Sequence, residues 1–241
     1  MISKDLDIVA EISGIIIQSV LILLLFSQKI VIERRPNPAR VLAIGAHPDD
    51  IEIAAGGTLA KMRDAGYQIA ALVLTQGEGG GNNVARQDEA KNGAEFLGVS
   101  DIEVMDCTDT RLMTDAVDVT NAIEATIERT KPNIIFTHSN HDIHQDHQLV
   151  FESTLRAARN TRTTILCYES PSVTQDFHPT YFVDVGKYVD IKIQAVREHR
   201  DQRKKSYMKA DLIRSKLSFR GSQAKVEYAE GFEVVRMISL L

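Results

Sequence analysis

Apolar runs of strand length alternate with stretches of helical spacing along most of this chain. Val41–Ala46, Ile69–Leu74, Ile102–Met105 and Asn133–Thr137 read as short buried strands. Between them, Ile53–Ala65, Val84–Leu97 and Ala116–Thr130 place their apolar residues on one helical face, with Val119, Ala122, Ile123 and Ile127 the clearest case. Gly98 and Pro132 are stop signals just past two of these helices. Leu149–Arg159 continues the alternation as a helix, and Thr164–Tyr168 as a strand. The remainder is less regular. Tyr181–Val185 reads as an edge strand, Lys187–Arg203 and Met208–Leu217 as helices, and Glu233–Ile238 as a last strand. Strands alternating with helices of about 10–15 residues imply βαβ units. The expected fold is therefore α/β, a Rossmann-like three-layer sandwich with a mostly parallel sheet covered on both faces.

The pattern changes at the front of the chain. Ile12–Phe26 is almost wholly apolar, and Pro36 and Pro38 follow in a short linker. We therefore divide the chain into an apolar segment, 1–33, and a folded domain, 34–241. The apolar stretch is shorter than the roughly 20 residues that comfortably span a bilayer, and lengthening it to Ile8 brings Glu11 inside. No small-residue cleavage pattern follows, and Lys4, Asp5 and Asp7 lack the positive excess of a signal peptide. Two expectations remain: membrane association through residues 8–27, or a helix packed on the domain or on a partner. Lys29, Arg34, Arg35 and Arg40 would keep the folded domain in the cytoplasm if the segment spans.

Composition narrows the function. A net charge of −5 over 241 residues, with one basic run (Arg197–Lys205) interrupted by Asp201, argues against nucleic acid as a partner. Cys107 and Cys167 are too far apart for a CxxC pair, so neither a disulfide framework nor a Cys-rich zinc site is implied. The Gly77–Gly81 run matches neither GxGxxG nor a P-loop and reads as a flexible rim rather than a phosphate cradle. A homo-oligomer is compatible with the sequence.

Two polar clusters stand out. His47-Pro48-Asp49-Asp50-Ile51-Glu52 directly follows the first strand, where open parallel sheets bind ligands. Helix capping would account for one of its carboxylates, not for a His, two adjacent Asp and a Glu. The second cluster holds His138, His141, His144 and His147, four of the seven histidines, with Asp142 and Asp146 among them; it follows the strand that ends at Thr137. A surface His tract, or Asp142 or Asp146 capping the next helix, would explain it alone. Together the clusters suit a zinc centre of two His and one Asp with a position open for water, and a further Asp as base. The same donor set also serves non-haem iron oxygenases.

Ala46–Glu52 followed by Gly56-Gly57-Thr58 resembles the opening signature of the LmbE-like, or PIG-L, de-N-acetylases. His144-Gln145-Asp146-His147 resembles the family's second motif, and Thr75–Glu89 and Tyr228-Ala229-Glu230-Gly231-Phe232 are similar to further parts of it. The likeness runs from about Arg40 to Val235. It departs in the last third, where a family Ser-Gln after a helical His is replaced by Arg200-Asp201-Gln202 after His199.

The resemblance implies an LmbE-like fold and a hydrolase that removes an N-acetyl group from an N-acetylglucosamine-containing or related amino-sugar substrate, free or in a glycoconjugate. It implies Zn2+, or another divalent metal such as Fe2+, held by His47, Asp50 and His147. Asp49 is then the general base, His144 stands at the developing oxyanion, and Asp146 orients His144. Arg86 is the candidate for gripping substrate, its alternative being an ordinary helix-start Arg on the surface. Glu52 is either a partner of a metal-bound His or a helix-start charge. Rival readings are an amidase of thiol or other small amide conjugates and a non-catalytic sugar-binding module.

Overall fold

The computed structural model describes residues 38–99 and 101–238, together with 14, 15 and 17–19. The chain divides into two units, Met1–Asn37 and Pro38–Leu241. The expected membrane-associated segment, 8–27, lies almost entirely outside the described residues. No helix among the described residues is long and apolar enough to cross a membrane.

Among the described residues, seven strands form one sheet: β1 (Arg40–Gly45), β2 (Gln68–Thr75), β3 (Asp101–Cys107), β4 (Ile134–Thr137), β5 (Thr164–Tyr168), β6 (Tyr181–Asp184) and β7 (Ala229–Arg236). Their order is β3-β2-β1-β4-β5-β7-β6. The first five strands pair in parallel, and β7 runs antiparallel to β5 and β6. The helices are α1 (Asp50–Asp64), α2 (Asn83–Leu97), α3 (Ala116–Thr130), α4 (Gln145–Ala157), α5 (Val189–Arg197) and α6 (Ala210–Ala224). This is the Rossmann-like, mostly parallel three-layer arrangement read from the sequence.

Strand alternation splits the core between the two faces. Val41 and Ala43 of β1 join Ile51, Ala55 and Leu59 of α1, Leu97 of α2 and Ala195 of α5 on one side. Leu42 and Ile44 join Val119 and Ile123 of α3 and Leu149 and Val150 of α4 on the other. A third cluster, built around Ile53, Val189, Ile193, Ile213 and Leu217, holds α1, α5 and α6 together. The chain leaves β1 toward β2 on one side, and β4 flanks β1 on the other. Strand order therefore reverses between β1 and β4, opening a crevice at their carboxyl ends.

Two motifs distant in sequence meet on α1. Glu230 of β7 accepts from the amides of Gly57 (2.9 Å) and Thr58 (2.7 Å), in the middle of the helix, and pairs with Lys192 of α5. Gly57 has to lack a side chain here: a Cβ would lie 2.9 Å from Val185 and 3.2 Å from the Glu230 carboxylate.

Several boundaries differ from the sequence reading. α1 and α4 begin earlier, at Asp50 and Gln145, because the polar clusters themselves form the first turns and carry no apolar periodicity. β7 begins at Ala229 rather than Glu233, the Glu230 carboxylate being turned inward against α1. The helix expected over Lys187–Arg203 ends at Arg197; His199 leaves helical geometry, and short 3-10 turns at Arg200–Gln202 and Ser206–Met208 follow. That break buries His199 and Gln202, which a continuous helix would not do.

Candidate metal centre

Three side chains converge in the crevice. His47 follows β1, Asp50 opens α1, and His147 lies in the first turn of α4. His47 Nδ1 is 3.2 Å from His147 Nε2 and 3.4 Å from Asp50 Oδ2, and His147 Nε2 is 3.5 Å from Asp50 Oδ1. A tetrahedral centre with bonds of about 2.0–2.1 Å sets its donor atoms about 3.3 Å apart. The pairwise approaches are close to that spacing, the two to Asp50 running to different carboxylate oxygens. Among the described residues, three groups bring one donor atom each within 4.8 Å of one another: His47, His144 and His147; Asp50, His138 and His147; and His47, Asp109 and Asp146. Two of the members beyond His47, Asp50 and His147 are already engaged. His138 Nε2 lies 3.1 Å from both the Ala46 amide and Asp50 Oδ2, and Asp109 accepts from the Gly79 amide at 2.8 Å.

The electrostatics also favour a cation. Burial opposes charge on His147, but Asp50 and Asp142 prevail and raise its pKa to about 9. Burial is likewise outweighed at His47 by the facing carboxylates of Asp109, Asp146 and Asp50, which hold its pKa well above the ordinary value. Burial works against ionised Asp50 too, yet His147 and His138 hold its carboxyl well below the usual range. The site stabilises positive charge where the donors converge.

Outer contacts fix each imidazole. His147 Nδ1 is 2.8 Å from Asp142 Oδ2. Asp142 in turn accepts from the His144 amide (2.8 Å), Ser172 Oγ (2.7 Å) and Ser170 Oγ. His47 Nε2 faces Asp109 Oδ1 at 3.1 Å and Asp146 Oδ2 at 3.4 Å. Carboxylates behind ligating histidines set the tautomer and ring angle. The sequence reading offers Asp142 only as a helix cap. Asp109 carries no sequence signal beyond its place after β3, near the carboxyl edge of the sheet.

The remaining candidates are distributed as follows. Asp49 holds the N-cap position of α1 but makes no side-chain cap bond; its carboxylate lies 3.3 Å from Arg86 Nη2. Arg86 is buried rather than on the surface, and donates from Nη1 to the Gly77 carbonyl at 2.5 Å. Gly77 has φ +72°, and a Cβ there would sit 2.2 Å from the guanidinium, so the glycine run is a seat for Arg86. His144 caps α4; its ring lies 4.5 Å from that of His147 and 4.8 Å from that of His47. The Asp146 amide donates to His144 Nδ1 at 3.3 Å, which leaves the neutral ring's proton on Nε2. Burial and the neighbouring His147 and His47 push the His144 pKa down. Contact between Asp146 and His144 thus runs through the backbone, while the Asp146 carboxylate accepts from the Leu112 amide (3.2 Å) and faces His47 at 3.4 Å. Glu52 does not reach the metal-type histidines; it faces buried His199 at 3.4 Å. His141 points away, 2.8 Å from Glu233. A cleft of ≈ 370 Å³ opens over the donors, lined among others by Asp49, Arg86, His144, Lys205 and Tyr207; the last two carry no sequence signal.

Fold and site together define a class: an α/β-layered protein with a buried His/Asp cluster, able to hold a metal ion, at the sheet's carboxyl edge. The chain belongs to the PIG-L family, described as GlcNAc-PI de-N-acetylase, whose pattern it matches over residues 42–158. It is 35% identical over 167 residues to the uncharacterised deacetylase YaiS of Escherichia coli (strain K12), spanning 66% of this chain and 90% of that one. It is 30% identical over 227 residues to the diacetylchitobiose deacetylase of Thermococcus kodakarensis, spanning 83% and 85% respectively. The crystal structure of the conserved protein TT1542 from Thermus thermophilus superposes with a TM-score of 0.74 at 22% identity, covering 83% of this chain and 96% of that one, a likeness of fold.

Proposed function

We propose that this chain is a zinc-dependent hydrolase that removes the N-acetyl group of an amino sugar. The observation that carries the reading is a further carboxylate, Asp49, lining the same cleft as the converging His47, Asp50 and His147. His47, Asp50 and His147 would hold the ion, with Fe2+ the alternative occupant. When bound, the metal supplies Lewis acidity toward the acyl oxygen and lowers the pKa of water. The rest falls to the chain's own groups. Asp49, steadied by Arg86, accepts the proton of the attacking water. His144 donates from Nε2 to the developing oxyanion. Asp49 then returns its proton to the leaving nitrogen. The amide and one water give a carboxylate and a protonated amine. Asp109, Asp142 and Asp146 keep the imidazoles in place, and Arg86 and Lys205 offer donors to sugar hydroxyls.

The relative named for diacetylchitobiose supports an amino-sugar substrate over thiol conjugates. The test is acetate release from a panel of N-acetylated sugars, glycolipids and thiol conjugates, by metal-loaded and chelator-treated protein. Asp49→Asn should retain its metal and lose about 10²–10⁴-fold in turnover. Full activity in that variant refutes the assigned base, and release from thiol conjugates alone refutes the sugar assignment.

A further inference from the structure

The cleft over the His47, Asp50 and His147 donors has a neighbour on the far side of Tyr207. A second cavity of ≈ 460 Å³ shares Ile53, Pro171 and Tyr207 with it and is walled beyond them by Val173, Ile213 and Leu217. Leu212 and Phe219 of α6 stand at its rim, 49% and 57% exposed, large apolar side chains left in water beside an apolar hollow. The charged groups in its lining are spent on one another. Lys192 pairs with Glu230, and Arg220 forks Glu169 at 2.8 and 3.0 Å. Lys216 Nζ donates to the carbonyls of Glu169 (2.9 Å) and Ser170 (3.3 Å). The hollow therefore presents apolar surface with paired charges, while the cleft beside it presents Arg86, Lys205 and the Gly79–Gly80 backbone.

A scissile amide has two unlike sides. Its amine side, a sugar, needs donors and acceptors for hydroxyls; its acyl side is hydrocarbon. We infer, resting on the deacylase reading above, that the second cavity is an acyl subsite, and that the preferred substrates carry N-acyl chains of several carbons rather than acetyl alone. A volume in the range of small-ligand pockets accommodates such a chain. The chemistry is unchanged: water adds to the acyl carbon, the C–N bond breaks, and a medium-chain carboxylate and a protonated amino sugar leave.

The test is a series of N-acetyl, N-butyryl, N-hexanoyl and N-octanoyl glucosamine, with octyl glycosides of N-acetylglucosamine alongside. Each buried methylene contributes about fourfold, so kcat/KM for hexanoyl should exceed that for acetyl by at least about tenfold. Leu212→Trp, at the rim, should lower the hexanoyl-to-acetyl ratio by about tenfold or more. Calorimetry on Asp49→Asn supplies a readout without turnover: N-hexanoylglucosamine should bind about tenfold more tightly than N-acetylglucosamine. If kcat/KM falls steadily with acyl length while acetyl is hydrolysed, the subsite is refuted and the deacetylase reading stands. If the octyl glycoside gains and the acyl series does not, the cavity serves the aglycone and the inference is wrong. If no N-acyl sugar is cleaved, acetyl included, the reading beneath it fails and takes the inference with it.

Discussion

Removing the carboxylate of Glu230 should be among the most damaging single changes available outside the cation site. Glu230 and Lys192 are each 3% exposed. The carboxylate accepts from the Gly57 and Thr58 amides and neutralises Lys192. Hydrogen bonds to a charged partner contribute about 1.5–3 kcal/mol each, and stranding one member of a buried pair costs about 3–5 kcal/mol. These contributions share one carboxylate and do not simply add. We expect Glu230→Ala to lose about 4–6 kcal/mol, a large part of the roughly 5–15 kcal/mol that holds a typical domain folded. Glu230→Gln keeps one acceptor and should lose about 3 kcal/mol, again chiefly by stranding Lys192. Adding Lys192→Met to Glu230→Gln removes the stranded cation, so the double variant should lose at least about 1.5 kcal/mol less than the sum of the singles. Urea unfolding of five proteins (wild type, Glu230→Ala, Glu230→Gln, Lys192→Met and the double variant), followed by circular dichroism, measures each loss. A Glu230→Ala cost below about 1 kcal/mol, or strict additivity in the cycle, would refute this account of the α1–β7 junction.

Other outcomes follow from the site. Gly77→Ala combines a left-handed φ with a Cβ 2.2 Å from Arg86, so it should displace the guanidinium from Asp49 and lower kcat/KM at least about tenfold; wild-type kinetics in this variant would contradict the proposed seat. Asp142→Asn should weaken metal affinity about 10–100-fold, read by competition with a chromogenic chelator, and unchanged affinity would remove Asp142 from the support of His147. In chelator-treated protein, His138 is kept neutral by burial and by charge on His147, with a pKa of about 4 against an ordinary 6.5. The unfolded chain binds that proton first, so stability should fall as pH drops from 6.5 toward 4. His138→Phe should flatten the urea-midpoint profile across that window, and an identical slope in both proteins would rule His138 out as the source.

The elements were legible where apolar residues repeat. The buried runs in β1, β2, β4 and β5, and the single apolar face of α3, are local patterns that report burial without reference to the rest of the chain. The polar clusters were legible for the opposite reason, since several ionisable groups at a strand's carboxyl end need a chemical explanation. Local patterning misled where a polar residue turns inward to meet a distant partner. Glu230 masked the start of β7, and His199, buried beside Glu52, sits where an unbroken helix was expected.

The sequence alone determined the alternation of layers and the carboxyl-end placement of His47, Asp50 and His147. Periodicity and strand polarity follow from neighbouring residues, so a linear text contains them. Tertiary structure decided which donors share a point, that Asp109 and Asp146 stand behind His47, and that Arg86 is buried against Asp49. Those relations join residues up to 100 positions apart, as His47 and His147 are. They arise when strand order reverses between β1 and β4 and the loops after those strands meet in one crevice, a geometry that exists only after the sheet has closed.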